Sequence, residues 1–114
     1  MKKIVSRDNT HIKQAAKLKN KKYRQQQKLY LIEGQRLVKE ALMSNQVIEK
    51  VFVAEEFSLS DEMARELQEL DCYLISQKLF SSITDTENPQ GIAAIVQKPE
   101  SDWELLAKNK ACFL

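Results

Sequence analysis

Five basic residues near the start of the chain recur at the spacing of one helical face. Successive intervals of four, four, three and four residues separate Lys13, Lys17, Lys21, Arg24 and Lys28. On a single helix these side chains fall within an arc of about 80°, beside an apolar arc that can face a core. We call these five residues the basic stripe. Because phosphate groups are natural partners for such a row of cations, the stripe predicts binding to a polyanion.

The distribution of charge along the chain supports this interpretation. Residues 1–28 carry ten basic residues against the single acidic Asp8, whereas the other 86 residues carry eight basic and 15 acidic ones. The formal net charge of +2 therefore combines +9 with −7. A basic segment before an acidic body is expected where one region meets nucleic acid or an anionic surface. The alternative is a solvated helix that only keeps the protein soluble.

Other kinds of chemistry find little support in the sequence. The chain has two glycines, Gly34 and Gly91, which is too few for a P-loop or a GxGxxG motif. Cys72 and Cys112 form no CxxC or Cys/His cluster, so we expect no metal site and a buried Cys72. The single histidine, His11, is read as a surface or helix-start residue, and no nucleophile with a base is evident.

The length and hydropathy of the chain predict one cytoplasmic domain. A domain of 114 residues buries roughly 65% of its unfolded surface and needs no disulfide to be stable. No signal-peptide core follows the first residues, and no apolar run approaches about 18 residues. We therefore expect neither export nor a membrane partner.

Short apolar runs alternate with helical patterns from residue 9 to residue 96. The runs LYLI, VFVA, CYLI and GIAAIV predict strands at 29–32, 51–54, 72–75 and 91–96. Helices are predicted from Asn9 or Thr10 to about Lys28, from about Gln35, after Ser58 or Ser60, and over 77–83. The order αβαβαβαβ predicts a three-layer α/β/α sandwich with a mostly parallel sheet.

Each glycine lies at a junction between predicted elements. Gly34 joins the first strand to the second helix, and Gly91 precedes the last strand. The ordinary interpretation is a positive φ angle at both turns. The functional interpretation is a bare backbone that lets another chain come close, with amides at the start of the second helix that, together with Arg36 and Lys39, could hold a phosphate. Glu33 could accept from a base edge or simply anchor the loop.

The last part of the sequence differs from what precedes it. Residues 99–102 have the composition of a linker, Trp103, Leu105 and Leu106 predict a short amphipathic turn, and ACFL at 111–114 begins an apolar run. An apolar run is a poor natural terminus, so we expect truncation of a longer protein. The alternative is a small final strand added to the same sheet.

Three segments in order resemble a known family. IKQAAKLKNKKYR at 12–24, LYLIEGQRLVKEAL at 29–42 and TENPQGIAAIV at 86–96 resemble the N-terminal substrate-binding domain of the SpoU (TrmH) family of RNA 2′-O-ribose methyltransferases. The resemblance covers about residues 4–98. It implies a fold similar to kink-turn-binding ribosomal proteins, which presents RNA to a following domain.

The resemblance also implies a division of labour. Residues 1–98 are expected to be the RNA substrate-binding domain, and residues 99–114 a linker and the first strand of a truncated catalytic domain. In the family, S-adenosylmethionine binds that knotted C-terminal domain, which also carries the catalytic arginine and an asparagine-containing motif. No residue of this chain is assigned a catalytic role, and the chain itself is expected to hold no cofactor. We expect a monomeric fragment of a homodimeric parent.

We therefore expect an RNA-recognition domain from a methyltransferase of ribosomal or transfer RNA. Tyr23 either stacks on an unpaired base or packs in the core. The TENPQG loop lacks the histidine that some family members have before QG, so the resemblance does not decide whether Asn88 and Gln90 contact RNA. The expected phosphate contacts are Lys13, Lys17, Lys21, Lys22, Arg24 and Lys28, with Arg36 and Lys39 beside Gly34. The alternatives are a stand-alone RNA-binding protein of the ribosomal kind, and a protein-interaction module that uses the acidic third helix, 61–71.

Overall fold

The computed structural model of the chain describes residues 2–44, 46–84 and 90–98. Helices and strands alternate through most of this region. They are β1 (Lys2–Ile4), α1 (Thr10–Lys17), α2 (Lys21–Gln27), β2 (Leu29–Glu33), α3 (Gln35–Met43), β3 (Ile48–Ala54), α4 (Asp61–Glu66), β4 (Cys72–Ile75), α5 (Gln77–Ile83) and β5 (Ile92–Gln97). In these residues, no helix combines the length and apolar character needed to cross a membrane.

The five strands form one sheet in the order β1-β4-β3-β5-β2. β4 pairs in parallel with β1 and β3, whereas β5 pairs antiparallel with β3 and β2. Four strands therefore share one direction, which confirms a mostly parallel sheet, and β5 alone opposes them. The reversal was not predicted. It places the start of β5 at the end of β2, where Glu33 pairs with Ala93.

Helices cover both faces of the sheet, which confirms the three-layer architecture. Consecutive residues of β3 point to opposite faces because side chains alternate along a strand. Phe52 joins a core with Ile12 of α1 and with residues of α5, and Tyr23 of α2 packs against this core. Val53 joins a second core with Val38 of α3 and with residues of α4. The likeness to kink-turn-binding ribosomal proteins stays a prediction.

The predicted single helix over residues 10–28 is wrong. The first helix ends at Lys17, and its C-cap, Leu18, is 2% exposed. The side chain of Asn20 then accepts a hydrogen bond from the backbone N–H of Tyr23 and starts a second helix. An asparagine in this position favours a new N-cap over helix continuation. The basic stripe is therefore divided between α1, α2 and the left-handed cap residue Lys28, whose φ is 55°.

The acidic third helix, predicted over 61–71, is shorter than expected, since α4 ends at Glu66 with Leu67 as its C-cap. Several other local predictions are confirmed. β4 and α5 have the predicted bounds, and Ser60 caps α4 through its side chain. Cys72 is buried, as expected, and burial raises the pKa of its thiol. The structure adds β1, which the sequence analysis missed because three residues give no readable period.

Candidate nucleic-acid interface

Most cations of the basic stripe are open to solvent. Lys13, Lys17 and Lys21 are exposed, as are Lys22 and Lys28. Among the residues that the structure describes, no carboxylate forms an ion pair with Lys13, Lys17, Lys21 or Lys22. Their charges are therefore compensated mainly by solvent, which is the state from which a lysine most readily binds a phosphate.

Arg24 differs from the lysines because its guanidinium is used inside the protein. Its Nη1 donates to the carbonyl oxygens of Leu18 at 2.9 Å and Lys19 at 3.1 Å. These carbonyls lie where α1 ends, so Arg24 fixes the corner between α1 and α2. The sequence analysis predicts a phosphate contact for Arg24. The structure assigns part of the guanidinium to this corner, although a guanidinium has five N–H donors and can serve both partners.

Tyr23 takes part in the core and in a surface cleft. Its half-buried ring packs against the core that α1 shares with the sheet. The ammonium of Lys17 lies 5.9 Å from the ring centroid, within the range of a cation–π contact. The ring also helps to line a cleft of about 390 Å³, which we call the tyrosine cleft, together with Lys17, Asn20, Lys22 and Gln26. The two predicted roles of Tyr23 are therefore compatible.

A second cleft, of about 440 Å³, lies between α2 and the edge strand β2; we call it the edge cleft. Lys21 and Arg24 line it with Lys98, whose backbone N–H donates to the carbonyl of Lys28 at 2.8 Å. Leu29 and Tyr30 add apolar surface. The sequence analysis missed Tyr30 and Lys98, because only the pairing of β2 with β5 brings residue 98 beside α2.

The Gly34 turn is closed by Gln90. Gly34 has φ 106° and ψ 145°, and a Cβ atom there would lie 2.6 Å from Gln90 Oε1. The backbone N–H of Gln90 donates to Glu33 Oε2 at 2.9 Å. Glu33 therefore anchors the loop, and the amide end of Gln90 covers the glycine. The positive φ predicted for Gly34 and Gly91 is confirmed. Asn88 lies outside the described residues.

Arg36 and Lys39 lie on α3, across the sheet from α1 and α2. Arg36 pairs with Glu40 at 3.4 Å and Lys39 with Glu62 at 3.6 Å, all with exposed side chains. Such surface pairs contribute only about 0–1 kcal/mol, so a phosphate can replace the carboxylate at little cost. No side chain caps the start of α3. The predicted contacts thus form two groups, one on each side of β2.

A polar network that the sequence did not reveal holds α1 on the sheet. The ammonium of Lys50 lies 2.9 Å from His11 Nδ1 and 2.6 Å from Gln14 Oε1. His11 Nε2 lies 3.3 Å from the hydroxyl of Tyr73, on whose ring it stacks at 4.6 Å between centroids. Because an ammonium only donates, Nδ1 accepts and Nε2 carries the proton. Burial, and then Lys50, lower the pKa of His11.

The described residues contain no group of three or more His, Cys, Asp or Glu side chains placed to hold a metal ion. The contacts around His11 join α1 to β3 through Lys50 and to β4 through Tyr73. His11 is the second residue of α1, which confirms the prediction of a helix-start residue, and its contacts help to position the part of the stripe that lies on α1.

Comparison with known proteins shows similarity to a family of substrate-binding domains and to RNA methyltransferases. The model of the MRM3-like substrate binding domain family matches residues 9–94. The chain is 39% identical over 100 residues to RlmP, the 23S rRNA (guanosine(2553)-2′-O)-methyltransferase of Bacillus subtilis (strain 168), covering 88% of this chain and 39% of that protein.

Two solved structures show the same fold. A structure of an RNA 2′-O ribose methyltransferase matches with a TM-score of 0.71 and 31% identity, over 86% of this chain and 38% of that one. An rRNA methyltransferase from Sinorhizobium meliloti matches with a TM-score of 0.73 and 24% identity, over 88% and 38%. The chain therefore spans about two fifths of the length of these relatives.

Proposed function

We propose that this chain, which belongs to the family of MRM3-like substrate-binding domains, binds RNA for a methyltransferase that acts on ribose 2′-hydroxyl groups. Ribosomal RNA is the substrate that we favour, since it is the substrate named for RlmP; transfer RNA is the alternative. The observation that carries the proposal is the group of exposed, unpaired lysines around Tyr23.

The first step of recognition is electrostatic. Lys13 and Lys17 extend from α1 and Lys21 and Lys22 from α2, all exposed and without a carboxylate partner in the described part of the chain. Each lysine that meets a phosphate releases condensed counterions, which supplies affinity without reading sequence. These four lysines would set the position of the RNA on the domain.

The tyrosine cleft would then hold an unpaired nucleotide. Proteins recognise RNA mainly in loops and bulges, where a base can leave the helix and stack on an aromatic ring. Tyr23 is fixed by the core on one side and opens to the cleft on the other. Lys17 and Lys22 line the same cleft and would contact the phosphates that flank the stacked base.

A second group of contacts would lie at the Gly34 turn. The uncapped amides of α3 and the exposed Arg36 and Lys39 can bind phosphate once their weak ion pairs open. Gln90 presents an exposed amide side chain at this turn. RNA that reaches both groups must cross β2, whose five residues extend about 17 Å.

A related rRNA methyltransferase from Sinorhizobium meliloti binds AdoMet (S-adenosylmethionine), and we propose that the site for this methyl donor lies outside this chain. The residues present do not fit it, because neither glycine offers a bare backbone surface. A side chain covers each one: Gln90 lies against Gly34, and Phe57 lies against Gly91. We propose that this domain supplies only the RNA side of the reaction, in the cytoplasm, as one part of a homodimeric enzyme.

The experiment measures RNA affinity as a function of salt. A structured fragment of ribosomal RNA, titrated in fluorescence anisotropy, should bind with a log–log salt slope of about −3.5 to −4.5 if about five phosphates are contacted. The triple variant Lys17→Glu, Lys21→Glu, Lys22→Glu should lose most of this binding. It should keep its free energy of unfolding within about 0.5 kcal/mol, since these side chains are exposed.

The matched control reverses three exposed cations elsewhere: Lys2→Glu, Arg65→Glu, Lys78→Glu. It has the same net charge as the test variant. If both variants lose affinity equally, net charge alone governs binding and the proposed interface is wrong. Affinity that stays flat from low to moderate salt would exclude the electrostatic mechanism altogether.

A further inference from the structure

The edge cleft combines an apolar floor with a positive rim. Leu29 is 7% exposed and Tyr30 is half-buried, and together they form its apolar surface. Lys21, Arg24 and Lys98 surround this surface, and no carboxylate is among the described residues that line it. A fitting occupant would therefore be an acidic segment with aromatic or aliphatic side chains.

Such a segment follows immediately in the sequence. Residues 99–106 read PESDWELL, in which Glu100, Asp102 and Glu104 alternate with other residues around Trp103 and end in two leucines. This acidic segment carries three negative charges and no positive one. Its composition is complementary to the edge cleft in both charge and apolar character.

The acidic segment also begins next to the edge cleft. Lys98 itself lines the edge cleft, and Trp103 is five residues further on. Five extended residues span at most about 18 Å, so the indole can reach the floor beside Leu29 without moving any described element. A tether of this length gives an effective concentration of the order of millimolar, which makes even a weak contact populated.

We propose that residues 100–106 dock into the edge cleft of their own chain. Trp103 contacts Leu29 and Tyr30, and the carboxylates pair with Lys21 and Lys98. A tryptophan buries about 150–250 Å² of surface, which supplies the main apolar gain. Docking goes beyond RNA recognition: it covers cations that RNA would otherwise reach, so the acidic segment and RNA compete for the edge cleft.

The test uses the fluorescence of Trp103, the single tryptophan of the chain, and contains no RNA. In the 114-residue chain we expect emission shifted to shorter wavelength than that of a peptide of residues 99–106, and weaker quenching by acrylamide. Both differences should shrink as salt rises, because ion pairs at an exposed rim are screened. Emission and quenching equal to those of the peptide would overturn the proposal.

Two charge variants locate the contact. Lys21→Glu with Lys98→Glu should return Trp103 to the emission of the peptide, whereas Lys13→Glu with Lys22→Glu, an equal change at exposed positions outside the edge cleft, should leave it shifted. Circular dichroism verifies that both variants are folded. If the second pair shifts the emission as much as the first, the edge cleft is not the site.

Zero-length coupling gives an independent readout. A carbodiimide joins an amine to a carboxylate only in direct contact, and mass spectrometry should find Lys21 joined to residue 100, 102 or 104 within one chain. The same product found only between two chains, in proportion to protein concentration, would identify a second copy as the occupant and contradict docking within the chain. Because no arm contains RNA, failure here leaves the RNA proposal to its own test.

Discussion

Replacing Gly34 by alanine tests how the turn between β2 and α3 is built. With φ at 106° and ψ at 145°, the residue occupies a region of backbone space that is essentially restricted to glycine, and a side chain there costs about 1–3 kcal/mol. The new Cβ would also lie 2.6 Å from Gln90 Oε1 and 3.3 Å from Gln90 Cδ. Because Gln90 is exposed, its side chain can rotate away for at most about 0.5–1.5 kcal/mol.

Urea unfolding of four proteins separates the two contributions: the natural chain, Gly34→Ala, Gln90→Ala and the double variant. Gln90→Ala keeps the backbone bond to Glu33 and should change the free energy of unfolding by no more than about 0.5 kcal/mol. Gly34→Ala should lose about 1–3 kcal/mol, and most of that loss should persist in the double variant.

Two results would refute the reasoning. If Gly34→Ala is as stable as the natural chain, the backbone angle does not require glycine. If the loss disappears when Gln90 is also alanine, the contact with Gln90 and not the angle is its cause. RNA affinity measured on the same proteins then shows whether the turn contributes to binding, since a folded Gly34→Ala with unchanged affinity removes Gly34 from the interface.

Three further predictions concern stability. Gly91→Ala should cost more than about 3 kcal/mol in urea unfolding, because φ is 86° and the new Cβ would lie 2.6–2.8 Å from Phe57 atoms that include its Cβ, next to the backbone. Lys28→Gly should raise the free energy of unfolding by about 1 kcal/mol, because glycine adopts the left-handed conformation of this position without strain. A lower free energy of unfolding would contradict this prediction. Burial and Lys50 lower the pKa of His11 in the folded protein below 6.5, so the unfolded chain takes up the proton first as the pH falls. The free energy of unfolding should therefore decrease between about pH 7.5 and 5.5. His11→Phe should make this decrease smaller. An unchanged pH profile would show that His11 is not responsible.

Local signals predicted the later elements well. The run CYLI gave the bounds of β4, and Ser76 accepts from the backbone N–H of Leu79 at the start of α5. In both places the apolar period and the capping residue indicate the same boundary, so little depends on distant contacts. The family resemblance stated from three motifs is likewise confirmed, by the match over residues 9–94.

Local signals failed where the same sequence pattern fits two different structures, namely one helix or two over residues 10–28 and a parallel or an antiparallel β5. Residues 10–28 keep a helical period throughout, yet Asn20 prefers to cap a new helix and Leu18 to enter the core. The direction of β5 was also unreadable, because a buried strand has the same apolar pattern in a parallel or an antiparallel pair. Both features depend on tertiary packing.

Contacts of the candidate site depend even more strongly on distant pairing. Gln90 reaches Gly34 and Glu33 across more than 50 residues, and Lys50 reaches His11 across 39. No spacing rule connects such positions. The exposure of the lysines, by contrast, was predictable, because charged side chains on a helix surface face the solvent, but their division between α1 and α2 was not.

The reversal of β5 gives the two ends of β2 different roles. At the end of β2, Gly34 donates to the carbonyl of Ile92 at 2.8 Å; at its start, the carbonyl of Lys28 accepts from Lys98 at 2.8 Å. The chain therefore continues from the end of β2 that lies beside Lys21 and the edge cleft, and away from the Gly34 turn. Had β5 run parallel to β2, residue 98 would instead lie beside Gly34. The antiparallel direction of β5 is therefore the reason that Lys98 lines the edge cleft together with Lys21 and Arg24 of α2, so the third cation of this cleft depends on a tertiary pairing and not on a local sequence pattern.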